Sequence, residues 1–392
     1  MATSLTGEAS GLLMERMTTL TEASAFGADA RLAEAARIAI SSSLKLQEGE
    51  TALIVANPER ECLEIAAALY DAAVSAGGRP SLVIQPVKVQ TDYAEEAVIA
   101  AFESQPDVFI SISAGKLGKD RGALRTPYEH NGTSYDHIFH YQLHGAKTLR
   151  AFWSPGATRA MFAKAVPIDY EALKRRCDAV EAALSGASRA RVTSPLGTDL
   201  VVGLSGRRPK RDDGDFSRPG SGGNLPAGEV FISPELGASA GTIVFDLSIA
   251  AVEGDIVIRE PIVARIEAGF VVELSGGSEA AALRAALESG EEAARALGKA
   301  GSLSSAKAEA YFRNARNLGE LGIGLNPSSE IVGNMLEDEK AFHTCHFAIG
   351  ANYDEDAPAL IHLDGLVSRP TIIVTKADGS ELAVEREGEL VL

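Results

Sequence analysis

The chain has few of the residues that build a disulfide framework or a surface for nucleic acid. Among its 392 residues are 3 cysteines. Cys62, Cys177 and Cys345 are far apart, which excludes a set of paired disulfides and a CxxC metal motif. Lysine and arginine total 37 against 54 aspartates and glutamates, so the formal net charge is −17. Because this charge repels phosphate groups and anionic lipid surfaces, we expect neither nucleic acid nor a membrane as a partner.

Long apolar runs and targeting signals are also missing from the sequence. No window approaches the roughly 18 apolar residues that a membrane-spanning helix needs. The N-terminal sequence MATSLTGEASGLLMERM lacks the basic-then-apolar order of a signal peptide. We therefore predict a cytoplasmic protein, and its length predicts two domains.

The first half of the chain alternates between helical and strand patterns. Short apolar runs predict strands at 51–56, 80–87, 107–114 and 148–155, and stretches with helical periodicity separate them. Such an alternation indicates a parallel sheet covered by helices on both faces. We predict a Rossmann-like α/β domain over residues 1–188. Because NPERE follows the first strand where a dinucleotide-binding fold has GxGxxG, a dinucleotide is not indicated.

The second half, residues 189–392, changes to closely spaced strands. The runs DLVVGL, GTIVFDLSIA and IVARIEAGFVVEL predict strands, and two helices interrupt the series, the second around 304–316. We predict an α+β domain with a largely antiparallel sheet. The polar segment 205–223 is interpreted as a solvated loop, with an active-site flap as the alternative.

Three of the 7 histidines fall in the stretch 342–365, FHTCHFAIGANYDEDAPALIHLDG. Side chains two apart on a strand share a face, so His362 and Asp364 can reach the same point. If HTCHFAIG is extended, His346 lies on a small, polar face and His343 on an apolar one, which makes His343 the weaker candidate. Two imidazoles and a carboxylate suit Zn, Mn, Co or Fe(II). The alternative for each histidine alone is a hydrogen-bonded position in the core.

Three glutamates are further candidates for metal ligands because of the segments in which they lie. Glu229 begins an apolar strand in NLPAGEVF, and Glu320 lies among glycines and apolar residues in NLGELGIGLNP. A carboxylate in such a setting is costly unless it is paired or bound to a metal. The alternative is a surface glutamate at the end of a helix. Glu339 belongs to the acidic run LEDEK, which is more typical of a solvated turn, although it precedes His346 by only seven residues.

The segments NLPAGEVF, NLGELGIGLNP, LEDEKAFHTCHFAIGANY and IHLDGLV occur in this order and resemble the thermophilic metallo-aminopeptidases of the aminopeptidase T and aminopeptidase S family. The resemblance covers most of the chain beyond about residue 35. It implies a cocatalytic pair of divalent metals (Zn, Co or Mn), an activated water that releases N-terminal amino acids from short peptides, and a homodimer. The implied metal ligands are Glu229, Glu320, His346, His362 and Asp364.

The same resemblance implies roles for residues beside the metals. The family's tyrosine aligns with Tyr353, which would stabilise the oxyanion. Glu320 would be the general base if it is not a ligand, and Glu339 otherwise. Ala341 stands where the family has a further glutamate, so Glu339 takes that place only with a local insertion. The interval between His346 and His362 is also short.

The chain also resembles the 2,5-dihydroxypyridine dioxygenases, which look like members of the same superfamily as these aminopeptidases. The dioxygenases hold a single Fe(II) on two histidines and an aspartate. A pair of divalent cations needs several carboxylates to offset its charge, whereas one Fe(II) needs a single carboxylate. Because Glu229 and Glu320 accompany Asp364, the sequence favours the aminopeptidase over a ring-cleaving dioxygenase acting on a small aromatic substrate. A degraded hydrolase that only binds a ligand is the third interpretation.

A second group of histidines occurs in the first half of the chain, in HNGTSYDHIFHYQLHG. His137, His140 and His144 follow one face of a helix, and His130 precedes them. A packing role is favoured over a metal site, because Asp136 is the only carboxylate close by in the sequence. Substrate contact is the alternative.

Overall fold

The computed structural model describes residues 29–89 and 92–392, which divide into two compact units. The first unit contains the described residues up to Pro167 and the segment Phe216–Gly222, and the second contains Ile168–Asp215 and Gly223–Leu392. The sequence places the boundary at 188. In the structure the division falls earlier, because the helix Tyr170–Leu184 packs on strands of the second unit.

The first unit is built on a parallel sheet, as the sequence predicts. Its helices are α1 (Ala30–Ile38), α2 (Arg60–Ser75), α3 (Glu96–Glu103), α4 (Ile138–His140) and α5 (Arg159–Ala165), and π-helical turns extend α1 and α4 over Ala39–Ser43 and Tyr141–Gly145. Its strands are β1 (Thr51–Ala56), β2 (Arg79–Ile84), β3 (Val108–Ser113), the hairpin β4 (Tyr128–His130) and β5 (Thr133–Tyr135), and β6 (Arg150–Pro155).

Strand pairing in this sheet follows the order β6, β3, β1, β2, and all of these pairs are parallel. A short strand, β10 (Gly222–Asn224), adds to the edge at β6. Every residue of β3 is buried, because helices cover a parallel sheet on both faces. The rings of Phe102, Phe109 and Phe139 pack together in the core, with centroids 4.7–5.9 Å apart. The Rossmann-like layout is therefore confirmed.

The second unit contains two larger sheets. Its helices are α6 (Tyr170–Leu184), α7 (Ser278–Lys299), α8 (Ser305–Asn314) and α9 (Met335–Asp338). Its first strands are β7 (Ala187–Thr193), β8 (Asp199–Gly203), β9 (Lys210–Asp212), β11 (Glu229–Ile232), β12 (Ala240–Phe245), β13 (Ser248–Ala251), β14 (Gly254–Val257), β15 (Ile262–Glu267) and β16 (Phe270–Ser275). The remaining strands are β17 (Leu318–Gly324), β18 (Thr344–Gly350), β19 (His362–Ser368), β20 (Thr371–Lys376), β21 (Glu381–Arg386) and β22 (Glu389–Leu390).

A seven-stranded sheet in the order β14, β13, β19, β18, β17, β11, β9 carries the residues singled out above. Its neighbouring strands pair antiparallel, as predicted. Strands β17 and β18 are buried along their whole length, because both faces of the sheet are covered. The other sheet has eight strands in the order β16, β15, β12, β8, β7, β20, β21, β22. Polar side chains on β17, β18 and β19 are therefore held in the interior of the unit.

The polar segment 205–223 is more ordered than the solvated loop that the sequence predicts. Its residues Lys210–Asp212 form β9, which pairs antiparallel with β11 and buries Asp212. The sequence interpretation is wrong here because a mixture of charges and glycines conceals a three-residue strand. Among the described residues, no helix combines the length and the apolar character that crossing a membrane requires.

Candidate metal centre

Four neighbouring strands bring the predicted metal ligands together. Glu229 begins β11, Glu320 lies on β17, His346 lies on β18, and His362 and Asp364 lie on β19. In the register of the sheet Ala348 is the partner of both Glu320 and Asp364, so these two carboxylates belong to one row across three strands. Residues that are opposite each other on adjacent strands share a face of the sheet. The residues that the sequence singles out therefore form a single cluster.

Glu320 lies between the two imidazoles of this cluster. His346 Nε2 is 3.2 Å from Glu320 Oε1 and 3.4 Å from Glu229 Oε2. On the other side, His362 Nε2 is 3.6 Å from Glu320 Oε2 and 3.5 Å from Asp364 Oδ1. His346 is fully buried, whereas the side chain of His362 is 26% exposed, so solvent reaches the cluster from the His362 side.

Gly322 provides the space that the imidazole of His346 occupies. It is the direct partner of His346 in the pairing of β17 and β18. A Cβ atom added to Gly322 would lie 1.9 Å from His346 Nε2, which is far below a van der Waals contact. The glycine at this position of NLGELGIGLNP therefore has a structural reason, since a larger residue would displace the imidazole.

Several polar atoms of the cluster are buried without a hydrogen-bond partner among the described residues. They are Glu229 Oε2, Glu320 Oε2, His346 Nδ1 and Asp364 Oδ1. Burying a carboxylate oxygen without a partner is costly. His362 Nδ1 lies 2.8 Å from Ala351 O, so this nitrogen donates its proton to the carbonyl and Nε2 faces the carboxylates. The donor set and its unsatisfied oxygens fit a divalent cation.

The charges of the cluster shift the pKa values of its members. Burial lowers the pKa of His346, but the hydrogen bond to Glu320 and the charge of Glu229 outweigh it and raise the pKa to about 9. Burial also lowers the pKa of His362, but the carboxylates of Asp364 and Glu320 outweigh it and raise the pKa to about 10. Burial raises the pKa of Asp364, but His362 and His346 outweigh it and lower the pKa to about 2. The cluster therefore requires positive charge, which protons supply when no cation is bound.

The ligand atoms form two overlapping groups of three. One group contains Glu320, His346 and Asp364, and the other contains Glu229, Glu339 and His346. In each group the three ligand atoms lie within 4.8 Å of one another. His346 belongs to both groups, so the two groups are adjacent.

A buried lysine contacts the second of these groups. The side chain of Lys340 is fully buried, and its Nζ lies 2.6 Å from Glu229 Oε1. The same ammonium group donates a hydrogen bond to Glu339 Oε1. The surrounding carboxylates Glu229 and Glu339 hold the pKa of Lys340 well above its ordinary value, although burial acts in the opposite direction. The sequence analysis missed this residue.

The run LEDEK is not the solvated turn that the sequence predicts. Glu337 and Asp338 are buried, and Asp338 accepts hydrogen bonds from the backbone N–H groups of Val332 and Gly333 at 2.8 and 3.0 Å. Only Glu339 of this run is partly exposed. A charge run normally indicates a solvated face, but here the following apolar strand β18 was the signal that the run enters the core.

Tyr353 lies on the exposed side of the cluster. Its ring centroid is 5.2 Å from that of His362 and 5.0 Å from that of Phe231. Partial burial and the carboxylates of Glu320 and Asp364 raise the pKa of Tyr353, so its phenol stays protonated at neutral pH. The resemblance aligned this residue with the family's tyrosine, and the structure places it beside the predicted ligands.

Arg207 and Lys210 hold the loop that carries Tyr353. Arg207 Nη1 lies 3.1 Å from Asp354 Oδ2 and 2.8 Å from Asp356 Oδ2. Lys210 Nζ donates a hydrogen bond to the backbone carbonyl of Tyr353. Both cations come from the polar segment 205–223, so part of this segment contributes to the surroundings of the cluster.

The other histidines make contacts of their own. His343 precedes β18 with a φ of 69°, and its Nδ1 is 2.9 Å from Gly388 O. In the first unit His137 caps α4: its Nδ1 accepts from the backbone N–H of Phe139 at 3.0 Å, and its Nε2 donates to Gly118 O at 3.1 Å. His137 thus has a structural role. All three cysteines are buried and free.

The chain thus contains a Rossmann-like unit, an α+β unit and, in the latter, a buried cluster of histidines and carboxylates whose donor atoms fit a divalent cation. The family model "NicX: 2,5-dihydroxypyridine 5,6-dioxygenase" matches residues 141–348, more than half of the chain. The chain belongs to this family.

One curated protein and one solved structure with the same activity in their names are similar to this chain. A segment of 117 residues is 33% identical to 2,5-dihydroxypyridine 5,6-dioxygenase of Pseudomonas putida KT2440 and covers 28% of this chain and 32% of that protein. The match thus spans about a third of the curated relative. The structure of 2,5-dihydroxypyridine dioxygenase from the same organism has a TM-score of 0.66 at 19% identity, with 93% of this chain and 98% of the other covered.

The fold is also that of an aminopeptidase. Wild-type AmpT from Thermus thermophilus has a TM-score of 0.65 at 21% identity, with 92% of this chain and 99% of the other covered. At these identities the two structures show a shared fold. The resemblance to a superfamily that contains both activities is confirmed.

Proposed function

We propose that the chain is a metal-dependent dioxygenase that opens a dihydroxypyridine-like aromatic ring. The observation that carries the proposal is the arrangement of His346, His362 and Asp364, two imidazoles and a carboxylate on the adjacent strands β18 and β19. This donor set is typical of non-haem iron oxygenases, which keep coordination positions open. The family to which the chain belongs supports the choice of substrate class.

The residues of the cluster would divide the work as follows. Fe(II) held by His346, His362 and Asp364 would supply the positions at which an aromatic substrate and dioxygen react. The hydrogen bond from His362 Nδ1 to Ala351 O fixes the orientation and tautomer of the ring. Glu320 Oε2, which is buried without a hydrogen-bond partner among the described residues, would accept a proton from a ring hydroxyl.

Tyr353 would act on the substrate from the exposed side. Because its phenol stays protonated, it can donate a hydrogen bond to an oxygen of the ring that gains negative charge. The edge of its ring also packs against His362, with an angle of 69° between the planes.

The experiment compares two activities of one preparation. The protein is purified without oxygen, its metal is quantified, and it is assayed for dioxygen consumption with 2,5-dihydroxypyridine and for hydrolysis of aminoacyl-nitroanilides. We expect dioxygen to be consumed together with the pyridine, and the activity to vanish in Asp364→Asn but persist in His343→Ala. Hydrolysis of nitroanilides without consumption of dioxygen would refute the proposal.

A metal-dependent aminopeptidase is the second candidate. The group formed by Glu229, Glu339 and His346 favours it, because additional carboxylates suit a pair of cations. The sequence ranked this hydrolase first on the number of its carboxylates. Here Glu229 and Glu339 are in contact with Lys340, which leaves less negative charge for a second cation. We therefore rank the dioxygenase first.

A further inference from the structure

We infer that the ammonium group of Lys340 takes the place of a second cation, so that the site holds one divalent metal. This inference rests on the metal site of the proposed function and is independent of the reaction. It assigns to Lys340 the role of setting the number of metals that the cluster accepts.

Lys340 lies beside one of the two groups that could hold a cation. Glu229 and Glu339, together with His346, are one of the two groups whose ligand atoms could hold a cation. Both carboxylates of this group are in contact with Lys340 Nζ, at 2.6 Å for Glu229 Oε1. The other group, with Glu320 and Asp364, has no lysine or arginine among its ion pairs in the described chain.

The backbone fixes the lysine at this place. The backbone N–H of Lys340 donates to Glu337 O at 3.0 Å, and its carbonyl accepts from Asn326 N–H at 2.8 Å. Gly324 allows the strand β17 to pass close by, since a Cβ there would lie 2.1 Å from Ala341 O. The side chain is fully buried, so its charge has to be offset by neighbouring carboxylates.

Charge then decides the number of cations. The carboxyl groups of Glu229 and Glu339 supply at most two negative charges when both are ionised, and the ammonium group offsets one of them. A divalent cation in the same group would face a positive charge bonded to two of its own ligands, and a buried repulsion of this kind is strong. The ammonium group and the second metal therefore exclude each other. The group that contains Glu320 and Asp364 is left for one metal.

A purely structural ion pair would behave differently from a substitute cation. If Lys340 only stabilises the fold, its removal leaves two uncompensated carboxylates and weakens the protein without any gain in metal. If it stands in for a cation, its removal opens a second metal position. Counting bound metal separates these two cases without an activity assay.

The experiment titrates Mn²⁺ into metal-free protein and measures the number of ions bound per chain by calorimetry and elemental analysis. We expect one ion in the wild type and two in Lys340→Met, because methionine keeps a long unbranched side chain and removes the charge. Lys340→Arg should bind one ion. In Lys340→Met, electron paramagnetic resonance should show magnetic coupling between neighbouring ions, which the wild type lacks.

Two further variants complete the test. Lys174→Met removes a lysine whose Nζ is 2.8 Å from Asp215 Oδ2 in the same unit, so it controls for the loss of any ion pair and should bind one ion. Lys340→Met combined with Glu229→Gln removes a ligand of the second position and should return to one ion. This pair of changes is also electrically balanced, which protects folding if Lys340→Met alone is unstable.

Two ions in the wild type, or one ion in Lys340→Met that folds, would overturn the inference. If Lys340→Met folds only with Mn²⁺ present, the ions bound to the folded protein are counted. Two ions support the inference and one ion overturns it. A wild type with one ion but no dioxygen consumption would contradict the proposed function alone. Two ions in the wild type that turns over the pyridine would contradict this inference alone.

Discussion

Gly322 and His346 face each other across strands β17 and β18, and the imidazole fills the space that a side chain at Gly322 would need. Glycine within a strand normally weakens it, unless another group approaches closely. Here the approaching group is a predicted ligand. The close contact therefore ties the ELGIG motif directly to the position of His346.

Gly322→Ala should lower the affinity for metal. Its Cβ would lie 1.9 Å from His346 Nε2, so the imidazole has to move away from Glu320. We expect a loss of about tenfold or more in Mn²⁺ affinity, measured by calorimetry, since a displaced ligand costs at least about 1.4 kcal/mol. Gly122→Ala is the control, because the nearest atom to its Cβ is a side-chain oxygen at 3.3 Å. Equal affinities in both variants would refute the explanation.

Substitutions should distinguish the predicted metal ligands from His343, which is not a predicted ligand. His362→Ala and Asp364→Asn each remove a donor next to Glu320, so we expect bound metal to be lost on dialysis and the activity to fall below detection. His343→Ala should keep both, since its ring contacts Gly388 O and not the cluster. Elemental analysis of the dialysed proteins makes the measurement. Metal retained by Asp364→Asn would contradict the assignment.

Arg207→Ala should loosen the loop that carries Tyr353. Asp354 and Asp356 would lose their common partner, while the metal ligands stay in place. We expect KM for the ring substrate to rise by about tenfold, or about 1.4 kcal/mol, with the metal content unchanged. Arg191→Ala is the control, because it breaks an exposed ion pair with Asp199 in the same unit. The idea fails if KM is the same in the two variants.

Glu385 should make the stability of the second unit depend on pH. It is buried and both of its carboxylate oxygens lack a partner among the described residues. Burial, together with Glu389, raises its pKa well above 4.5. The folded state therefore holds its proton more tightly than the unfolded state, and wild-type stability falls as pH rises above about 4.5 towards the folded pKa.

Glu385→Gln should remove this dependence, because an amide cannot ionise. Relative to the wild type, its free energy of unfolding should increase by up to about 2.7 kcal/mol between pH 5 and pH 7, measured with urea on metal-free protein. The exposed Glu381 on the same strand supplies the control variant Glu381→Gln, which should follow the wild type. Parallel pH profiles for wild type and Glu385→Gln would contradict the explanation.

Much of the cluster follows from local patterns in the sequence. The alternation of side chains along a strand places His362 and Asp364 on one face, and the pairing of β18 with β19 brings His346 to them. The parallel sheet of the first unit also follows from its near-continuous apolar strands. These features depend on neighbouring residues and on the periods of helices and strands, which a sequence displays directly.

Lys340 and Asp212 could not be found in this way. Both are charged residues in polar runs, and such runs usually lie in solvent. Their burial depends on tertiary contacts, Lys340 with Glu229, more than a hundred positions away, and Asp212 through the pairing of β9 with β11. The count of carboxylates therefore overestimated the charge available to metals, because the compensating lysine was not visible.

The most direct test of the account is a single measurement on iron-loaded protein. The protein is mixed with 2,5-dihydroxypyridine, and bound iron, dioxygen consumed and pyridine lost are determined in the same sample. The account predicts one iron per chain and equal losses of dioxygen and pyridine. Two metals per chain, with hydrolysis of an aminoacyl-nitroanilide and no consumption of dioxygen, would contradict it.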